Sequence, residues 1–103
     1  RDARWQFIET WKYSGYILDV NPRERRMDVQ FYDRLPEGRY IVTLDIPNSY
    51  FIEKLKAGEA YIFEFKVFRA ELSDKLTNYL HERYATSFKT IHRFELVSVE
   101  SLE

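Results

Sequence analysis

At 103 residues the chain is sized for one domain, residues 1–103, that can bury a working core without metal or disulfide help. Sixteen Lys/Arg stand against seventeen Asp/Glu, and a net charge of −1 excludes a protein that coats duplex DNA by charge alone. Cysteine is absent, which removes disulfides and thiolate metal sites and agrees with a reducing, cytoplasmic setting.

No apolar run approaches the roughly 20 residues of a membrane span, so no membrane partner is expected. No signal-peptide pattern opens the chain either, although a first residue of Arg1 leaves a removed targeting segment open. The unusual feature is eighteen aromatic residues, two Trp, eight Tyr and eight Phe. Aromatics dominate core burial, but this many exceeds what a small core needs, so some are expected at a contact surface. Many charges, few glycines and no cysteine also suit a thermophilic or archaeal source.

Residues 1–10 carry Trp5, Phe7 and Ile8 among charges and read equally as a strand, a helical turn or an arm laid on the domain. From Trp11 the run WKYSGYILDV is strand-like to Val20, and its internal Gly15 predicts a bulge or bend. Asn21-Pro22 ends it, and Arg23, Glu24, Arg25 and Arg26 form an exposed charged turn. Met27, Val29 and Phe31 then alternate with Arg26, Asp28, Gln30 and Tyr32 in a second strand. The turn DRLPEG joins it, as an antiparallel hairpin, to a third strand. There Tyr40, Val42, Leu44 and Ile46 share one face, and Arg39, Ile41, Thr43 and Asp45 the other.

Pro47 stops this strand, and Asn48 or Ser49 is placed to cap a short helix. Phe51, Ile52 and Leu55 would form its apolar stripe and Gly58 its C-cap. A fourth strand follows, with Tyr61, Phe63, Phe65 and Val67 on one face. From Arg69 to Thr90 the pattern changes to a partly helical insertion. Ser73 is its cap, and Leu76, Tyr79, Leu80 and Tyr84 share a stripe at helical spacing. A last strand, Ile91 to Val99, sets Phe94 and Leu96 on one face and Ile91, Val97 and Val99 on the other; the tail Glu100 to Glu103 is acidic. Five strands over residues 11–99, with a helix between the third and fourth, predict an all-β, five-stranded Greek-key barrel with minor helix.

This order resembles the OB-fold, and residues 13–68 resemble the single-stranded nucleic-acid-binding domains of the replication protein A type. The resemblance is carried by Ser14-Gly15-Tyr16-Ile17, by Phe31-Tyr32-Asp33 with Gly38 in the following turn, by Ile41-Val42-Thr43-Leu44, and by Leu55 ahead of Gly58. Asp45-Ile46-Pro47 departs from the aromatic that often follows the third strand, and the zinc-binding cysteines of some relatives are missing. The resemblance implies binding of single-stranded DNA or RNA on the second and third strands and the flanking loops, with low sequence preference.

On that basis Arg26, Gln30 and Tyr32 of the second strand and Arg39 and Thr43 of the third are candidate contacts, with Tyr32 as stacking surface. The same residues also read as a solvated face of cross-strand polar pairs in which Asp28 and Asp45 partner the arginines. Lys66 and Phe68 on the fourth strand and Arg83 and Tyr84 in the insertion extend the candidate site. Residues 69–93, with five Lys/Arg against three acids, are the clearly positive region. The alternative is an amphipathic helix that plugs the barrel with Leu76, Tyr79 and Leu80. Trp5 and Trp11 read either as stacking platforms or as buried plugs.

The only histidines, His81 and His92, lack a second ligand at metal spacing, and no nucleophile motif or phosphate-binding glycine loop is present. A non-enzymatic protein without cofactor or metal is therefore expected. The rival function is a protein-interaction subunit of a replication or transcription complex, or a homodimer, because interfaces also enrich Tyr, Trp, Phe and Arg.

Overall fold

The computed structural model describes residues 3–36 and 38–102. Arg1, Asp2, Glu37 and Glu103, parts of the N-terminal arm, the DRLPEG turn and the acidic tail, lie outside the described residues. Five strands account for most of the chain: β1 (Ala3–Asn21), β2 (Arg26–Phe31), β3 (Ile41–Asp45), β4 (Ala60–Leu72) and β5 (Thr90–Glu100). One α-helix, α1 (Asp74–Tyr84), lies between β4 and β5, and a single 3-10 turn, Ile52–Lys54, lies between β3 and β4. The strands close into a barrel in the order β1-β2-β3-β5-β4. Every neighbouring pair is antiparallel except β3 and β5, which run parallel.

The alternation in β2 and β3 holds residue by residue, because one face of each strand meets the core. Met27, Val29 and Phe31 are buried from β2, and Val42 and Leu44 from β3. Phe63, Phe65 and Val67 of β4 and Phe94 and Leu96 of β5 complete the same cluster. Rings fill much of it: Phe31 stacks on Phe65 at 5.5 Å between centroids, and Phe65 meets Phe94 edge-on at 5.9 Å. Trp11 packs against Phe65 and Phe94 at 6.1 and 6.2 Å, so it is the plug of the two alternatives offered for it.

Several expectations are corrected. Of the three readings of the N-terminal segment the strand holds, and the arm and the helical turn do not: Ala3–Thr10 is the first half of β1, paired with β4 from Ala3↔Leu72 to Thr10↔Lys66. The insertion is correspondingly shorter, since β4 continues to Leu72 and β5 starts at Thr90. Gly15 is not the bulge. It is buried where β1 passes from β4 to β2, and a Cβ there would lie 2.4 Å from the Gln30 carbonyl oxygen. The bulge falls at Leu18, between Ile17↔Val29 and Asp19↔Asp28.

Another bulge, at Val97 of β5, resets the side-chain parity, so Val99 packs against the core with Leu96 instead of facing away. The expected helix after Pro47 is one 3-10 turn with no side-chain cap from Asn48 or Ser49. Ile52 and Leu55 join the core, but Phe51 is 65 % exposed. Gly58 is not a helix C-cap: at φ +90 it forms the turn into β4, its N–H donating to the Ile17 carbonyl at 2.7 Å.

Ser73 does cap α1, its Oγ accepting from the Leu76 N–H at 3.1 Å. The helix does not plug the barrel, however, because it buries none of its residues. Leu35, Ile52 and Leu55, all buried from loops, belong to the core cluster instead.

Candidate nucleic-acid interface

The site begins with the outward face of the β2–β3 hairpin. Residues of like parity on paired strands stand side by side, and register fixes which ones meet. Arg26 lies opposite Asp45, and its Nε is 3.2 Å from Asp45 Oδ1. Asp28 lies opposite Thr43, whose hydroxyl donates to Asp28 Oδ1 at 2.7 Å. The polar-pair reading of this face therefore holds for both acids, with Asp28 serving Thr43 rather than an arginine.

Beside this hairpin, β3 and β5 pair only at Leu44↔Phe94 and Asp45↔Glu95. Ahead of that pairing a cleft of about 430 Å³ lies between the strands, lined by Trp5, Arg26, Arg39, Ile41, Val42, Thr43, Asp45, His92, Arg93 and Phe94. Among the described residues of this lining three arginines face one carboxylate, a balance that favours anions.

Each cation in the cleft is positioned by a ring or an acid. The Arg39 guanidinium lies 5.4 Å from the Phe94 ring centroid, and His92 stacks on the same ring at 6.3 Å. Arg93 stands opposite Phe68 in the β4–β5 ladder, and its guanidinium sits 4.5 Å from that ring and 5.3 Å from Trp5. Its Nη1 also reaches Asp45 Oδ2 at 3.8 Å. Cation–π contacts of this kind contribute about 0.5–2 kcal/mol and help to fix each guanidinium beside the cleft. Trp5 remains 39 % exposed, so an aromatic surface borders the cations. A second cleft of about 520 Å³, lined by Arg39, Phe88, Thr90, Ile91 and His92, shares two of its residues with the first.

Of the residues expected from sequence, Arg26, Arg39 and Thr43 come together in the cleft. Phe68 stands behind it, under Arg93. Gln30 lies between Tyr16 and Ile41 on the ladder, outside the lining. Tyr32 is exposed beyond the end of β2, its ring 5.9 Å from Tyr16 rather than beside Arg26. Lys66 points outward from β4, next in register to Thr10 and Glu95. Arg83 and Tyr84 end α1, with Arg83 5.9 Å from Tyr79, and neither lines the cleft.

The charged turn after β1 also divides. Arg25, at φ 54, turns inward and donates to the carbonyls of Ile46, Pro47 and Tyr50 at 3.1, 2.6 and 2.7 Å. That guanidinium is a structural clamp rather than a loop contact.

No local signal in the sequence marks the contribution of β5. Arg93 and His92 were legible only as charges beside an insertion, since nothing local says that Phe68 lies opposite Arg93. Trp5 had a signal, an aromatic with no place in a five-stranded count, but its neighbour is set by the same distant ladder. Among the described residues no cluster of His, Cys, Asp or Glu is arranged to hold a metal ion, and no helix is long and apolar enough to cross a membrane. No family model, no curated protein and no solved structure matches this chain.

Proposed function

We propose that the protein is an OB-fold module that binds single-stranded DNA or RNA in the cleft between β3 and β5. The strand order, the single parallel pairing of β3 with β5 and the turn between β3 and β4 support the OB-fold. The observation that carries the function is the convergence of Arg26, Arg39 and Arg93 beside the exposed ring of Trp5. The arginines meet phosphates and Trp5 stacks a base, the combination by which single strands are held without reading their sequence. It is a binding module that carries out no catalysis and needs no cofactor.

Titration of a labelled dT oligonucleotide of about 15 nucleotides, followed by fluorescence anisotropy at low and moderate salt, tests this function. Three neutralised phosphates give a log–log salt slope of about −2 on single strands. Arg39→Ala is expected to weaken binding and flatten that slope. Absence of binding at low salt by the folded protein would sink the proposal.

A second function, docking of a protein partner in a replication or transcription assembly, is favoured by one feature. The helix α1 buries no residue and exposes Tyr79 and Tyr84, with Phe88 exposed just beyond. Co-purification of a partner lost on Tyr84→Ala, with no oligonucleotide binding, would replace the first function by this one.

A further inference from the structure

Asp45 is an unexpected group in a cleft that meets phosphate. Among the described residues it is the one carboxylate in the lining, facing Arg26, Arg39 and Arg93. Its negative charge repels a nucleic-acid backbone and lowers the value of the cations around it. The neighbouring acids do not share its position: Asp28 accepts from Thr43, and Glu24 lies 3.7 Å from Arg26 without lining the cleft.

Asp45 is also held in place from two sides, by Arg26 Nε at 3.2 Å on Oδ1 and by Arg93 Nη1 at 3.8 Å on Oδ2. An ionised carboxylate offers about four lone-pair sites, so these two cations leave it acceptor capacity. Its side chain keeps 28 % of its surface exposed. Arg93 is fixed in turn by the rings of Trp5 and Phe68, and its Nε–H has no hydrogen-bond acceptor among the described residues. Through Arg93, an open acceptor is held close to the ring that would stack a base.

We infer that Asp45 reads the donor edge of one unpaired base and that the cleft prefers guanine at that position; this rests on the single-strand function proposed above. Guanine carries two adjacent donors, its N1–H and its 2-amino group, which match the two oxygens of one carboxylate. Cytosine and adenine offer one amino group there. Thymine and uracil offer one ring N–H between two carbonyls, which a carboxylate repels. Hydrogen bonds to an ionised acceptor are roughly twice as strong as neutral ones, so the choice is made by charge as well as by shape. The cations around Asp45 offset its repulsion of the phosphates on either side.

The test uses labelled dT strands of about 15 nucleotides: all dT, dT with one central dG, and dT with one central deoxyinosine, which lacks the 2-amino group. The dG strand is expected to bind about tenfold more tightly than all-dT, with the inosine strand in between. Asp45→Asn, nearly the same size, is expected to abolish the preference, so that the dG, inosine and all-dT strands bind that variant alike. Equal affinity of the wild-type protein for the three strands overturns the inference and leaves single-strand binding intact. So does a guanine preference that survives Asp45→Asn. Failure of every strand to bind overturns the cleft function and the guanine preference together. The comparison of dG with inosine on the wild-type protein stands even if the variant is poorly folded.

Discussion

The cleft between β3 and β5 and the helix α1 both carry cations beside exposed rings, but the fold treats them differently. In the cleft, Arg26, Arg93 and Trp5 are positioned by ladder register and by one another, with Asp45 between two guanidinium groups. On α1, Arg83 meets a ring of its own helix, Tyr84 is 62 % exposed, and no residue of the helix is buried. Local charge is richest in the segment containing α1, yet preorganisation belongs to the sheet. A binding surface whose side chains are already fixed loses less freedom when a ligand arrives. That is the physical ground for proposing the cleft, and not the helix, as a nucleic-acid site.

The largest way to break the sheet side is at Gly15. Replacement by Ala places a Cβ 2.4 Å from the Gln30 carbonyl oxygen and 3.0 Å from the Phe31 Cα, both backbone atoms that cannot step aside. Gly15→Ala is expected to cost about 3 kcal/mol in urea denaturation, with loss of oligonucleotide binding as β2 shifts. Next is Arg25→Ala. Removing three hydrogen bonds to the carbonyls of Ile46, Pro47 and Tyr50 is expected to cost about 2 kcal/mol, measured in the same way. The cleft is left in place, so affinity for dT at a temperature where the variant is folded should change little.

Ser73→Ala sharpens the contrast from the other side. Loss of the cap on the Leu76 N–H is expected to weaken α1 by about 1 kcal/mol and reduce helical circular dichroism. Binding to dT should stay within about twofold, a change of a few tenths of a kcal/mol. The smallest effect expected is alkaline. The Tyr61 hydroxyl is pushed up chiefly by its hydrogen bond to Glu59, and the Tyr50 hydroxyl by burial, both from an ordinary value of 10.0. Because the fold favours the protonated phenols, their stabilisation is complete below the ordinary value and lost as pH rises through the raised ones. The urea midpoint should therefore be flat up to about pH 9 and fall only beyond the ordinary tyrosine range, with a modest slope because both rings are partly solvated.

Much of the barrel was legible because strand parity is a local signal. Met27, Val29 and Phe31, and Val42 and Leu44, could be assigned to the core from spacing alone, and all are buried. Arg26, Arg39 and Thr43 followed from the opposite parity, and they line the cleft. Parity fails wherever a ladder admits one extra residue. The bulges at Ile8, Leu18 and Val97 depend on what the partner strand does, and Val97 returned Val99 to the core against its expected face. The segment after Pro47 misled for another reason. Phe51, Ile52 and Leu55 have helical spacing, but the single 3-10 turn buries only the latter two. Ser73 was read correctly because capping needs only the three residues that follow. Trp5 and Arg93 were beyond reach, since they meet through two ladders at once, Trp5 opposite Ala70 and Arg93 opposite Phe68, neither of which is a local signal.

One pair of variants in one titration, Trp5→Ala and Tyr84→Ala against labelled dT under low salt, separates the cleft from the helix. Each removes an exposed ring next to a cation-bearing element, one in the cleft and one on the helix. Loss of a stacked base worth about 1–3 kcal/mol predicts affinity about tenfold weaker or more for Trp5→Ala and almost unchanged for Tyr84→Ala. The reverse result, with Tyr84→Ala weakened and Trp5→Ala unchanged, would move the site to α1 and contradict the account.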